Sequence, residues 1–395
     1  MTEARHGKSM ILLLAAVAAL GSLATQLLVP TLPLIARDLR IGSDQAQLTI
    51  SVFLIGLGAG QLVIGPLSDR IGRKPVLIGG MALFCAGCIG GALTQDLTLL
   101  LAARLAQALG GAAGIVTARV LVADLYPPEE HIARQATLMG VILISPALAP
   151  VIGGLIGELA GWRAIFVLLA VAAVVSSMIS FAYLPRTTRA SGPSSPSPDP
   201  KPGSFLTSRR FLGPALAIAG GSSALYMFLG AAPFLLAHDH GFSAHEVGTA
   251  MMLVAGCSIG GTRLVARIER RHSALVVGTA TLLTGALALL ASALFGQTSL
   301  AAFLGAMSLL GLGAGISGPA GITRIIRSAP GREGTASSLA GAGQMLASAA
   351  CSMLLAASGP VSVARLAVGL TLSCMVALAG ALLAIRSDSS MQGLA

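Results

Sequence analysis

Gly65-Pro66-Leu67-Ser68-Asp69-Arg70-Ile71-Gly72-Arg73-Lys74-Pro75 stands between two long apolar runs. In a chain with few charges, this short stretch gathers one acid and three bases. A hydrated turn between two membrane spans accounts for that pattern. Gly65 and Gly72 permit close backbone approach and positive φ. Pro75 can open the next helix without losing a needed N–H.

Composition agrees with that reading. Of 395 residues, 55% are hydrophobic and 10% charged, and the mean hydropathy is +0.86. Those values belong to an integral membrane protein rather than a soluble domain. A net charge of +10 raises the question of nucleic acid. The bases lie between apolar runs and form no single patch, so they report topology, and no nucleic-acid partner is expected. Cys85, Cys88, Cys257, Cys351 and Cys374 all fall in apolar segments. Cys85-x-x-Cys88 has no second ligand pair, which leaves small packing residues and no metal site. No cofactor is expected, and no nucleophile–base pair points to an enzyme. Arg5 and Lys8 precede an apolar stretch that runs to about Ala36, too long for the core of a cleaved signal peptide.

A bilayer-spanning helix needs about 20 apolar residues. By that rule the sequence predicts an all-α membrane protein of twelve spans. Six lie near 10–36, 46–66, 75–94, 97–125, 133–160 and 162–184. Six more lie near 211–237, 244–268, 273–295, 299–325, 334–358 and 361–386. The halves, 1–184 and 211–395, flank a Pro- and Ser-rich linker at 185–210 that cannot bury a core. Of the 25 Lys and Arg residues, 18 fall on the side of the linker and termini. Only Arg37, Arg40, Arg163 and Arg365 fall on the other, with Arg104, Arg119 and Arg263 inside spans. The excess of bases then puts both termini and the linker in the cytoplasm. Gly56, Gly60, Asp69 and Arg70 recur 200 residues later as Gly256, Gly260, Glu269 and Arg270. That echo is consistent with a parallel repeat of two six-helix halves, or with two Gly-rich helices that each end in a charged turn.

The 65–75 stretch resembles the signature loop of the major facilitator superfamily, G-x-L-x-D-R-x-G-R-K. Other segments extend the resemblance along the chain. Arg104-x-x-Gln107-x-x-Gly110 resembles the superfamily's fourth-helix motif. Ser145-Pro146-Ala-Leu-Ala-Pro150-Val-Ile-Gly153-Gly154 resembles its antiporter motif. With Asp124-Leu-Tyr-Pro, Gly161-Trp162-Arg163 and Gly334-Thr-Ala-Ser-Ser-Leu-Ala-Gly341, the pattern looks like the Bcr/CflA drug-resistance branch, which includes bicyclomycin and chloramphenicol exporters. The resemblance implies a multi-pass inner-membrane protein.

Several residues are candidates for transport. Arg104 stands about 10 Å into its helix. A charge at depth costs about 2.5–3.5 kcal/mol on insertion scales, so it should face an interior cavity and a partner. The resemblance implies that it polarises substrate or assists proton release; otherwise it is a snorkelling or helix-bridging arginine. Gln107 shares its face and either binds substrate or bridges helices. Tyr226 and Gln344 are further cavity candidates. Arg119 is a second embedded base whose partner lies elsewhere in the bundle than Asp124, with a structural or gating role. For Asp69, with Arg70, Arg73 and Asp124, the resemblance implies charge pairing at the inner helix ends that acts as a gate; the plain alternative is solvated loop charges. Pro146, Pro150, Gly153 and Gly154 should kink or thin the fifth span, for rocking or for close packing.

One position departs from the branch. Its first helix usually carries an acid before a P-x-x-P-like turn, yet Pro30-Thr31-Leu32-Pro33 is preceded by Gln26, which cannot titrate. All fifteen acids and all six histidines fall in loops or near span ends. Embedded bases without embedded acids should disfavour cations and accept neutral or anionic solutes. Three classes result. The first is a monomeric alternating-access exporter of small amphiphiles, with the proton as counter-ion through a peripheral acid such as Asp69, Asp124 or Glu158. The second is a facilitative or uptake carrier for a small metabolite. The third is a non-transporting sensor of the same fold.

Overall fold

A computed structural model describes residues 2–127, 130–184, 206–296, 299–330 and 332–392. Among the described residues the regular structure is entirely helical. In chain order the helices are α1 (Thr2–Gln26), α2 (Leu32–Leu39), α3 (Ser43–Ile71), α4 (Arg73–Leu93), α5 (Leu97–Leu125), α6 (His131–Ala160) and α7 (Arg163–Tyr183). They continue with α8 (Arg209–His240), α9 (Ala244–Glu269), α10 (Ala274–Leu294), α11 (Leu300–Ser328), α12 (Glu333–Ala357) and α13 (Val363–Gln392). Among the described residues eleven stretches are long and apolar enough to cross a bilayer, with Met10–Leu39 counted as one; α6 adds a shorter apolar stretch, Ala147–Ala160. The protein is therefore a multi-pass membrane protein. Most of the expected linker lies outside the described residues.

The chain divides into two compact units. One comprises residues 1–41, 52–195 and 243–248, the other 42–51, 196–242 and 249–395. The expected halves, 1–184 and 211–395, differ from this division at 42–51 and 243–248.

The charged stretch is more helical than its composition suggests. α3 runs through Gly65 and Pro66 to Ile71, and only Gly72 turns, with φ at +103°. A residue with a Cβ would be strained there. Gly65 is helical, with open space where a side chain would project. Gly72 N–H closes α3 on the Ser68 carbonyl at 3.0 Å, and α4 starts at once, with Pro75 in its first turn.

The first span is interrupted where a continuous helix to about residue 36 was expected. Pro30 has no N–H and Pro33 sits inside the first turn of α2, so the chain tightens into a 3₁₀ turn at Val29–Thr31. Leu28 N–H then bonds Thr25 O at 3.2 Å instead of reaching back to Ala24. The carbonyl of Ala24 is thereby released from the helical ladder, inside a packed region.

In lipid, helices gain little from burying apolar surface against one another and depend on close contact. Each unit achieves it with glycines seven apart. In the first, a Cβ on Gly80 would strike Ala113, and one on Gly87 would lie 2.5 Å from Gln107 N and 2.7 Å from Ala103 O, so α4 and α5 touch backbone to backbone. In the second, a Cβ on Gly278 would lie 2.5 Å from Ser317 N, and one on Gly285 2.9 Å from Leu309 Cβ, which joins α10 to α11 in the same way.

Candidate functional site

Arg104 and Gln107 are both fully buried in α5. Arg104 Nη1 donates to the Ala24 carbonyl at 3.1 Å and to Gln107 Oε1 at 2.5 Å. The guanidinium carbon lies 4.0 Å from the centre of the Phe53 ring. Gln107 Nε2 in turn donates to Cys88 Sγ at 3.0 Å. One side chain thus takes up the carbonyl that the break in α1 released, and the network joins α1, α3, α4 and α5. A carbonyl, an amide, an aromatic face and a thiol are all neutral, so the charge is held by dipoles and a π face rather than by a counter-ion among them. Gln26, half-buried, is the last residue of α1, two positions beyond Ala24.

Neither Phe53 nor Cys88 was among the sequence candidates. Cys88 read as a packing residue, and nothing in the spacing marks it as the acceptor for Gln107. Phe53 lies on another helix, and only the fold brings it over Arg104.

The charges around the Gly72 turn form a second cluster. Arg73 ion-pairs with Asp69 across the Gly72 turn. Its Nε reaches Asp124 Oδ2 at 3.3 Å, at the end of α5, and its Nη1 donates to Ser68 Oγ at 2.9 Å. Arg73 therefore bridges two carboxylates that face one cation. Arg70 is exposed. Arg119 is half-buried in the last two turns of α5, and Asp124 is engaged by Arg73. Lys74 caps α7, donating to the carbonyls of Phe181 and Leu184 at 2.7 and 2.6 Å, where a cation complements the helix dipole.

The second unit carries a related cluster. Glu269, the last residue of α9, pairs with Arg324 of α11 at 3.1 Å and accepts the N–H of Ala274 at 2.7 Å, opening α10. Ser273, 200 positions after Arg73, accepts from Arg324 at 3.4 Å. Elsewhere in this unit Gln344 of α12 donates to Ser222 of α8 at 2.5 Å. Tyr226, half-buried, stands one turn from Ser222 on the same face.

Gly153 and Gly157 of α6 ride over the break in the first span. A Cβ on Gly153 would strike the Leu27 carbonyl, and one on Gly157 would meet Thr31 Cγ2. On the adjoining face Pro150 and Gly154 pack on residues 244–248 of the same unit, where Gly248 meets the Pro150 carbonyl and Gly154 the Ala244 carbonyl. Pro146 lies in α6; its side chain is outside the described residues. At the opposite end from Arg73, Asp38 accepts from Arg163 Nη1 at 2.5 Å and from Trp162 Nε1 at 3.2 Å, while Arg163 Nη2 donates to Thr94 O at 2.8 Å. This buttress of α2 was legible only as separate residues.

Apolar helices with charge clusters at their ends and a buried Arg–Gln pair in α5 define a polytopic membrane protein. The family model of the Major Facilitator Superfamily matches residues 14–352, and the chain belongs to that superfamily. It is 30% identical over 318 residues to a chloramphenicol resistance protein of Pseudomonas aeruginosa, covering 77% of this chain and 73% of that one. It is 36% identical over 187 residues to multidrug resistance protein D of Escherichia coli K12, with 47% of each chain covered. With multidrug resistance protein MdtL of Shigella flexneri the identity is 35% over 228 residues, with 58% of each covered. The chain thus spans about three quarters of the first relative and only about half of the others. Among solved structures it resembles a D-xylose–proton symporter, with a TM-score of 0.73, 16% identity and 94% and 97% of the two chains covered. It also resembles a bacterial homologue of the human lysosomal transporter Spinster, with a TM-score of 0.70, 14% identity and 97% and 96% covered.

Proposed function

We propose that this chain is an exporter of small neutral or anionic amphiphiles, of the chloramphenicol type, in the Bcr/CflA branch of its superfamily. It works as a monomer in the inner membrane by alternating access, with twelve spans in two six-helix halves repeated in parallel. The termini and the linker are cytoplasmic, in keeping with the distribution of bases. The curated relatives named for chloramphenicol and multidrug resistance support the cargo class.

The observation that carries the proposal is the Arg104–Gln107 pair. A buried guanidinium next to a broken helix gives a positive local field, which repels cations and favours polar groups that can accept a hydrogen bond. Gln26, Tyr226 and Gln344 are the further substrate-binding candidates. Asp69, Arg70, Arg73, Arg119 and Asp124 are the gate and coupling set, while Pro146, Pro150, Gly153 and Gly154 serve the conformational change. The test is a resistance panel in an efflux-deficient host. Wild type should protect against chloramphenicol and Arg104→Ala should not. Strong resistance to cationic dyes that Arg104→Ala abolishes would overturn the cargo assignment.

Gln26 favours a second reading, transport without proton coupling. In the exporter reading the proton is exchanged through peripheral acids such as Asp69. Solute accumulation measured with and without a proton gradient, in wild type and Gln26→Asp, separates the two. Equilibration that ignores the gradient in wild type favours the facilitator.

A further inference from the structure

In the second unit an apolar groove of about 550 Å³ runs between α12 and α13, with Met227 of α8 on its floor. Along α13 its wall is formed by Arg365, Gly369, Leu372 and Val376. Their spacing of four, seven and eleven residues from Arg365 keeps them on one helical face. At 1.5 Å per residue that face is about 16 Å long, against about 15 Å for half the hydrocarbon core of a bilayer. The groove therefore has the depth of one leaflet. Leu354, Leu372 and Val376 are 71, 61 and 48% exposed, so it opens towards the membrane. Gly369 gives it depth at mid-length, since a Cβ there would already touch Met227 Sδ at 3.3 Å.

Arg365 is the single charged residue of the lining and stands at one end of it. It is exposed, and its Nη1 donates to the Pro360 carbonyl at 2.7 Å. Among the described residues no carboxylate pairs with it. A guanidinium carries five N–H donors in a fixed fork that suits phosphate. A leaflet-deep apolar channel headed by such a group matches one acyl chain joined to an anionic phosphodiester. We propose that this groove is a binding site for an anionic phospholipid, with a chain along α13 and the headgroup phosphate on Arg365. In a bilayer the apolar walls supply fit but little selectivity, because free lipid is as apolar as they are. Discrimination rests on Arg365, since a zwitterionic headgroup brings its own cation to the same place.

Native mass spectrometry of the purified, delipidated protein tests this, with titration by phosphatidylglycerol or phosphatidylcholine of matched chains. Wild type should retain phosphatidylglycerol at about five-fold lower concentration. Arg365→Gln, at an exposed position, should bring the two lipids level while the protein stays monodisperse. Gly369→Leu should lower retention of both. Equal retention of the two lipids by wild type would overturn the proposal, as would a preference that survives Arg365→Gln. Displacement of phosphatidylglycerol by equimolar chloramphenicol would assign the groove to cargo instead.

Discussion

Arg324 Nη2 lies 3.1 Å from Glu269 Oε1, and these residues stand 200 positions after Asp124 and Asp69. The two units solve one problem with opposite signs. In the first, both helix ends carry carboxylates, and Arg73 from the start of α4 must bridge them. In the second, the later helix supplies the cation itself, and the bridging position is Ser273.

Arg73→Ser should therefore leave Asp69 and Asp124 repelling each other where α3 and α5 end and α4 starts. Asp69 and Asp124 are 65% and 33% exposed, so the loss is modest, about 1 kcal/mol. It should appear as a fall of a few degrees in the thermal midpoint and a larger loss of resistance. Arg73→Ser with Asp124→Arg copies the second unit's arrangement and should recover at least half of the midpoint shift. No recovery would show that the charges there act independently.

Gly79 and Gly80 are neighbours on α4, yet only one faces a helix. A Cβ at Gly79 meets open space, whereas one at Gly80 collides with Ala113 and one at Gly87 with Gln107 N and Ala103 O. Gly79→Ala should be neutral or slightly stabilising through helix propensity. Gly87→Ala should push α4 from α5, cost about 1–3 kcal/mol through overpacking and disturb the Gln107–Cys88 contact. Midpoints of the two purified variants decide the matter, with equal values refuting the close approach.

The helices were legible because 20-residue apolar runs leave few alternatives, and the Gly72 turn because charges cluster where water must be. The extension of α3 to Ile71 was hidden, since Pro66 and a charged face resemble a loop in sequence. The Arg104 network was half legible. Arg104 and Gln107 announced themselves as polar residues at depth, but the Ala24 carbonyl is a backbone group whose release depends on how Pro30 redirects Leu28. Phe53 and Cys88 are ordinary residues until the bundle closes on them. Asp38 and Arg163 lie 125 positions apart, and no local pattern joins them.

Lys74 should hold the end of α7. Lys74→Met keeps an apolar side chain of similar length but removes the ammonium that lies 5.2 Å from the Phe181 ring centre and donates to the Phe181 and Leu184 carbonyls. Those two are terminal carbonyls without helical partners. Hydrogen exchange should then quicken at residues 181–184 and leave α4 unchanged. Unaltered exchange at the end of α7 would show that the cap contributes nothing.

Arg104→Met separates the structural from the transport role of the central cluster. A fully buried guanidinium keeps a large desolvation cost, and exchange for an apolar side chain of similar length removes that cost. Against this, the Ala24 carbonyl loses its donor, a penalty of about 1–3 kcal/mol. The two effects oppose each other, so the thermal midpoint should move by only a few degrees. Transport should fail, because the positive field and the donor fork go with the guanidinium. Arg104→Lys keeps a charge but cannot serve Ala24 and Gln107 while it lies flat on Phe53, so it should be the less stable variant and recover little resistance. If Arg104→Met instead lowers the midpoint by about 10 °C or more, roughly 2.5–5 kcal/mol for a unit of about 200 residues, the arginine is a structural strut. If it keeps full chloramphenicol resistance, the cargo does not depend on Arg104.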